Sequence, residues 1–588
     1  MPRSTPYHDD FELEPFANDF VDFPDEPDAP LLPSSNYSNI DHGRSSLSSP
    51  PRWLQNTSPW AKSWLRKAGI TMENLRPRWL DQSQQQSWTK SWTEKAMALI
   101  RPRLTIGYIS CSIIALYILY CYIVWSPLFA SKLPKYTGSY GVGAIDVEVP
   151  IQEPRQVVDA VFKKDRNPVF QLDTVLFTLY YPAEKGVRSS KVNHKWFPRP
   201  LSLIAEGYAT AAHFNNFLSR PLFTAVLWGL AGSIDIPAKV DVPLMRSADD
   251  KTVQYPVVVL SHGDVSSRTD YTAYCGELAS RGVVVAAIEH RDGSCPGSIV
   301  HLPDGKKRNV LLFGADKLQA ERPDTEVSND DWRFQKLAFR DAEIEETVSV
   351  LRELNSGRGS EIFDKNYRRE GKDFRAWGDR LDFSQVIIAG HSFGATGALQ
   401  ALKSANKTSP ARSWDNPAAA GIILDPGKSS GKLNTDIDVP LLIVHSDSWS
   451  KAHTIFYGRP HFDTVRDIAI DVLKRCGSTW FMTSLKTSHP SITDAPLIEP
   501  LLLSWTTGAT INVREGLREY VRVSMEFLQY LKDGSRQGVL DIGVTHAGYG
   551  KDSRSAEQKE KMEKDITKYW EPTTNLKEPA THSTCCTT

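Results

Sequence analysis

Cysteine is scarce: the 588 residues hold seven, Cys111, Cys121, Cys275, Cys295, Cys476, Cys585 and Cys586, spaced neither as a disulfide framework nor as metal ligands. An excess of charge is missing too. With 69 basic and 70 acidic residues, the chain lacks the electrostatic footprint of a nucleic-acid-binding protein. Charge disappears altogether between Leu104 and Ala130, the one long stretch without Asp, Glu, Lys or Arg. Hydrophobic residues, at 40 %, are ordinary for a globular core and exclude little. The length is too great for one average domain and fits a large domain with appendages.

Composition divides the chain. Residues 1–52 are acidic, rich in Pro and Ser and without apolar period, so disorder is expected there. Residues 53–103 set Trp53, Trp60, Trp64, Trp79, Trp88 and Trp92 among Lys, Arg and Gln, the pairing favoured at a membrane surface. Residues 104–125 supply about 22 largely apolar residues, enough for a transmembrane helix across a ~30 Å hydrocarbon core. Lys90, Lys95, Arg101 and Arg103 precede this run and only Lys132 and Lys135 follow closely. That bias predicts a single-pass membrane protein with a cytoplasmic N-terminus and a lumenal or extracellular body. The body is expected over 136–535, and residues 550–588 read as a solvated helix and a frayed tail.

Within the body, apolar runs of strand length alternate with helical patterns. Val175–Tyr181, Pro256–Leu260, Gly282–Ile288, Gln385–Ala389, Gly421–Leu424 and Pro440–Val444 read as strands, and Phe334–Leu354 and Thr396–Lys403 as helices. Continuous apolar strands imply cover on both faces, and the alternation predicts an α/β fold with a mostly parallel central sheet. The strand Val386–Ala389 runs straight into Gly390-His391-Ser392-Phe393-Gly394, with small residues opening the next helix. That order makes a nucleophile elbow, a turn so tight that the flanking positions must be glycine. The expected architecture is therefore the α/β-hydrolase fold, with Ser392 as nucleophile.

A serine hydroxyl needs a histidine to take its proton and a carboxylate to hold that histidine's tautomer. After Ser392, Asp425 and Asp447 both lie at strand ends, and either suits the acid by position. Of the downstream histidines, His445 lies within a strand and reads as packing, whereas His489 follows the strand-like Trp480–Leu485 and suits the base. The backbone N–H groups of Phe393 and Asp264, the latter from the turn after Leu260-Ser261, are expected to form the oxyanion hole. No metal or organic cofactor is implied. Glu289-His290-Arg291-Asp292 is read as a buried charge network, and the apolar stretch Trp196–Gly232 as packing, with a cap or membrane-facing role left open.

Several stretches together resemble the plasma-type and type II intracellular platelet-activating factor acetylhydrolases, calcium-independent phospholipases A2. They are Gly138-Ser139-Tyr140-Gly141-Val142-Gly143, Leu179-Tyr180-Tyr181-Pro182, Ser261-His262-Gly263, Ala286–Asp292, the elbow itself and Gly421–Asp425. The resemblance spans roughly 136–535. It implies Asp425 rather than Asp447 as the acid, supports Ser392 and His489, and implies hydrolysis of short or oxidised sn-2 acyl groups from phospholipids. The sequence departs from the family pattern at Asp264, where an apolar residue is usual, and in the longer segment Lys403–Ala418. Two other readings share the same residues: an esterase or lipase acting on neutral esters, and a catalytically silent, membrane-tethered binding module.

Overall fold

The computed structural model describes residues 106–574 except 124–126, 128–129, 247–252, 322–324, 404–415, 501–506, 547, 552–554 and 558–563. The expectations for 1–52 and 53–103 lie outside the described residues. Helix α1 (Ile106–Ile123) realises the apolar run. At ~1.5 Å per residue its 18 residues reach about 27 Å, short of a ~30 Å hydrocarbon core. Among the described residues no helix is long and apolar enough to cross a membrane. Of the expected span 104–125, the end positions 104–105 and 124–125 lie outside the described residues. Helix α1 exposes Ile113, Ile114, Leu116 and Ile118.

The body is built from β1 (Gly141–Gln156), β2 (Gln171–Ala183), α2 (Leu201–Ala211), α3 (Ser219–Ala231), β3 (Lys239–Val240), β4 (Tyr255–Ser261), α4 (Thr272–Ala279) and β5 (Val284–Ile288). The long α5 (Asn329–Asn355) leads to β6 (Leu381–His391), α6 (Phe393–Ala401), β7 (Ala418–Leu424), β8 (Leu441–Ser446), α7 (Asp447–Lys451) and α8 (His461–Cys476). Then come β9 (Thr479–Ser484), α9 (Val513–Asp533), α10 (Lys564–Tyr569) and β10 (Trp570–Thr574). One sheet takes all ten strands in the order β10-β9-β8-β7-β6-β4-β5-β2-β1-β3. Its centre, β9 to β5, is parallel; β1 and β2 pair antiparallel with each other, β2 with β5, and β10 with β9. The expected α/β architecture with a mostly parallel sheet is present.

Period-two alternation distributes the strands between two cores. On β4, Val258 and Leu260 join the layer that holds Tyr274 and Leu278 of α4 and Leu517 and Val521 of α9. Val257 and Val259 join the opposite layer with Ile344 and Val348 of α5, Ala398 of α6 and Ile468 of α8. Helix starts follow local chemistry. The Ser328 side chain caps α5 by accepting from Asp331 N, and Asn512 caps α9 by accepting from Arg514 N and Glu515 N.

Two expectations change. The C-terminal segment, expected to be solvated, enters the sheet as edge strand β10, because Trp570 is buried and its Nε1 donates to Glu519 Oε2 at 2.9 Å. The apolar stretch before the core strands is only partly packing. Helix α3 and its approach expose Phe217 (81 %), Leu218 (69 %) and Trp228 (65 %), together with Phe214, Leu222 and Val226. Such a cluster exceeds the scattered apolar residues of an ordinary surface.

Candidate active site

Register brings three loops to one place. Gly390 of β6 pairs with Ser261 of β4, and His391 pairs with Leu424 of β7. Ser392, the turn Gly263-Asp264 and Asp425 therefore leave the sheet at one level. Ser392 sits at φ 57°, ψ −125°, a conformation costly for a side-chain-bearing residue and held by what surrounds it. Its N–H donates to Leu424 O at 3.0 Å. The glycines around it are obligatory. A Cβ on Gly390 would stand 2.1 Å from Gly394 O, and one on Gly394 would stand 2.1 Å from Ser261 O.

Asp425 and His489, the expected acid and base, meet where β7, β8 and β9 end. Asp425 Oδ2 lies 2.9 Å from His489 Nδ1, and the carboxylate also accepts from Ser446 N at 2.6 Å and Ser446 Oγ at 2.7 Å. Both Asp425 and His489 are buried. The His489 ring is stacked on Trp449 with centroids 3.9 Å apart and planes 12° from parallel. Trp449 is pinned in turn, its Nε1 donating to Pro426 O at 3.0 Å and Lys428 Nζ standing 4.3 Å over its ring. With Nδ1 directed at Asp425, Nε2 is the ring nitrogen left for proton transfer. Asp447 is engaged elsewhere: its carboxylate accepts from Tyr549 OH at 2.6 Å, Lys451 Nζ at 2.9 Å and Lys486 N at 3.1 Å.

His391, inside the elbow, ties these loops together. Gly263 N donates to Tyr271 OH (3.1 Å), the Tyr271 hydroxyl donates to His391 Nδ1 (2.9 Å), and His391 Nε2 donates to the His489 carbonyl (3.0 Å). Burial, reinforced by His489, lowers His391 to about 3, so the ring stays neutral and this single tautomer is kept. His391, Asp425 and His489 also place one metal-ligand-type atom each within 4.8 Å of one another. The hydrogen bonds just described occupy these groups, which disfavours a metal centre.

The two expected oxyanion donors lie in segments next to Ser392. Phe393 opens α6, so its N–H is one of the first-turn groups without an intrahelical acceptor. A Cβ added to Gly263, beside Asp264, would lie only 3.2 Å from Ser392 Cβ, which sets how closely that turn approaches the nucleophile. The Asp264 carboxylate, unexpected beside a developing oxyanion, pairs with Lys336 Nζ at 3.1 Å. Helix α5 supplies Lys336 and, one turn on, Arg340. Each lies 4.4 Å from the Phe393 ring centroid, and Arg340 Nη1 donates to His262 O at 2.6 Å.

Beneath this layer, the charges after β5 form the expected buried network. Arg340 Nε donates to Asp292 Oδ2 at 2.7 Å, Arg268 pairs with Glu289 at 3.3 Å, and Arg291 pairs with Glu148 at 2.5 Å. His290 bridges Ser261 Oγ (2.7 Å) and Glu343 (2.6 Å). Burial raises the Glu343 carboxyl and lowers His290, which favours a neutral pair. Sequence reasoning missed Tyr271, Lys336, Arg340, Ser446 and Trp449 as site-shaping residues. Only the Lys336/Arg340 spacing, two cations four apart on an otherwise core-facing helix, left a trace in the sequence.

Residues 128–539 match the family model described as platelet-activating factor acetylhydrolase, isoform II. The chain belongs to this family. Among curated relatives, the platelet-activating factor acetylhydrolase of Canis lupus familiaris is 28% identical over 275 residues, 46% of this chain and 52% of that one. The Cavia porcellus protein of the same name is 27% identical over 330 residues, 55% of this chain and 62% of that one. The chain thus spans between about half and three fifths of the length of these relatives. Among solved structures, it is similar to a ferulic acid esterase from Streptomyces cinnamoneus at 19% identity and TM-score 0.44, over 70% of this chain and 96% of that one.

Proposed function

We propose that this family member is a serine esterase that hydrolyses the sn-2 ester of phospholipids carrying a short or oxidised acyl chain. The observation that carries the proposal is the bond from His489 Nδ1 to Asp425, set at the sheet edge where strained Ser392 leaves β6. Ser392 Oγ attacks the ester carbonyl while His489 Nε2 accepts its proton, and Asp425 stabilises the imidazolium. The N–H groups of Phe393 and Asp264 donate to the oxyanion. Collapse of the tetrahedral adduct breaks the bond to the glycerol oxygen, which takes the proton from His489 and leaves as the lysophospholipid. Water, deprotonated by His489, then releases the acyl group and restores Ser392.

Family membership supports a phospholipid as substrate, and so does the exposed apolar surface of α3, which suits an enzyme that meets its substrate at an interface. We place the chain on a membrane through its apolar helix, with the N-terminal region cytoplasmic and the body lumenal or extracellular. That placement rests on the Lys/Arg bias around residues 104–125.

A fluorophosphonate probe should label the purified protein at Ser392 and lose all labelling in Ser392→Ala. Short-chain sn-2 phosphatidylcholine should be hydrolysed at least tenfold faster than long-chain phosphatidylcholine or triacylglycerol. Labelling with a preference for triacylglycerol would make it a neutral-ester lipase. No labelling and no turnover of any ester would leave a binding module.

A further inference from the structure

A cavity of about 320 Å³ opens between the segment preceding β1 and the first turns of α9, built from residues that take no part in the ester-cleaving site. Five of its lining side chains are cations: Lys132, Lys135, Arg281, Arg514 and Arg518. Among the described residues its lining holds one acid, Glu277. That acid is satisfied locally, by an ion pair with Arg281 and by the Thr137 hydroxyl and N–H at 2.9 and 3.1 Å. The lining keeps a clear excess of positive charge.

Helix α9 sorts its charges to produce this. Arg514 and Arg518, four residues apart, share one face and are exposed, as is Lys135. Glu515 and Glu519 are held away from that face: Glu515 by Lys568 at 3.4 Å, Glu519 by Trp570 Nε1 at 2.9 Å and Arg522 at 3.1 Å. Under the cations the floor is apolar, made by Leu133, Leu497, Leu517 and Val521, all buried. A basic rim over an apolar floor matches a ligand with a phosphate joined to a glycerol and acyl stem. A nucleic acid would need a longer basic track than one cavity on a chain of net charge −1. Lys132 and Lys135 also lie on the segment that follows the apolar helix in sequence.

We propose that this cavity docks the phosphate of an anionic phospholipid in a membrane surface, at a site separate from Ser392. The proposal does not depend on the esterase reading, and it gives the protein a second, charge-selective hold on the interface.

Co-sedimentation of the full chain with vesicles tests it. Binding to phosphatidylcholine vesicles containing phosphatidylserine should exceed binding to pure phosphatidylcholine by at least tenfold at low salt and weaken as salt screens the contact. The triple variant Lys135→Glu, Arg514→Glu, Arg518→Glu should lose that preference. The charge-keeping set Lys135→Arg, Arg514→Lys, Arg518→Lys should retain it, as should the remote set Lys306→Glu, Lys307→Glu, Lys474→Glu. Circular dichroism checks that each variant folds. Equal vesicle binding by wild type and the triple variant overturns the proposal, and so does equal loss in the remote set, which would mean diffuse charge. Saturable binding of inorganic phosphate by a wild type without any vesicle preference overturns the lipid as its source.

Discussion

At the scale of single residues, the two candidate acids differ in what surrounds each. Asp425 accepts from His489 and twice from Ser446, whereas Asp447 is consumed by Tyr549, Lys451 and Lys486. Asp425→Asn should therefore cut kcat by about 10⁴, the scale of losing a triad carboxylate. Asp447→Asn should change it by less than about threefold. Steady-state hydrolysis of a short-chain phosphatidylcholine checks both, and equal losses would refute the assignment. The glycines behave differently from one another for a similar reason. A methyl on Gly394 meets the Ser261 carbonyl at 2.1 Å, with no flexible atom to yield, so Gly394→Ala should give insoluble protein. A methyl on Gly263 meets Ser392 Cβ at 3.2 Å and Tyr271 OH at 3.3 Å, contacts that ease with a shift of a few tenths of an ångström. Gly263→Ala should fold and lose roughly 10- to 100-fold in kcat, because the methyl displaces the nucleophile and the oxyanion turn together. Circular dichroism alongside kcat separates the two outcomes.

At the scale of elements, α5 joins the turn at Asp264 to Phe393, the two proposed oxyanion donors. Lys336 reaches Asp264 and Arg340 reaches the His262 carbonyl, and both lie against the Phe393 ring. Lys336→Met should leave Asp264 without its cation beside a developing negative charge, lowering kcat by about tenfold or more with little change in KM. Restoring kcat with the double variant Lys336→Met, Asp264→Asn would show that the pair works by neutralising the carboxylate; no rescue would refute it. A second junction is Asp494, five residues beyond His489. It accepts from Thr272 N at 2.9 Å, Ala273 N at 2.8 Å and Trp196 Nε1 at 3.2 Å, so it locks the loop carrying the base to α4 and to the segment before α2. Burial pushes its carboxyl from the ordinary 3.8 up to about 7, against the pull of those hydrogen bonds. Between about pH 4 and pH 7 the folded chain then keeps a proton that the unfolded chain gives up. This contribution to stability is full below pH 4, falls as pH rises and levels off above 7. Asp270, raised to about 6, and Glu526, raised to about 7, slope the same way. Urea denaturation across this range should show a shallower pH dependence in Asp494→Asn than in wild type; an unchanged slope would refute the assignment.

For the whole molecule, legibility tracked how local the controlling interactions are. The parallel strands were readable because burial on both faces writes continuous apolar runs, as in Val257–Leu260, and the elbow because its five residues form a contiguous motif directly after such a strand, even though Gly394 is forced by the distant Ser261 carbonyl. The 16-residue β1 was not readable: Glu148 and Asp146 interrupt its apolar pattern, and both are paid for by distant partners, Arg291 and Arg268. Strand β10 hid in a charged tail because its place is set by Trp570 packing onto β9 and α9, a long-range contact. The apolar run from Leu104 was conspicuous, and its described part, Ile106–Ile123, is helical. Its exposed isoleucines and leucines, with those of α3, still give the protein two apolar surfaces. If α1 is the anchor, the full chain should stay in the membrane pellet after an alkaline carbonate wash. Deleting residues 104–125 should then move it to the soluble fraction while fluorophosphonate labelling at Ser392 persists. If α3 suffices instead, the deletion would still bind vesicles but would be released by carbonate, because a helix lying in the interface has too little buried area to resist the wash. Release of the full chain by carbonate would refute α1 as an anchor, and fractionation of the two chains side by side decides between them.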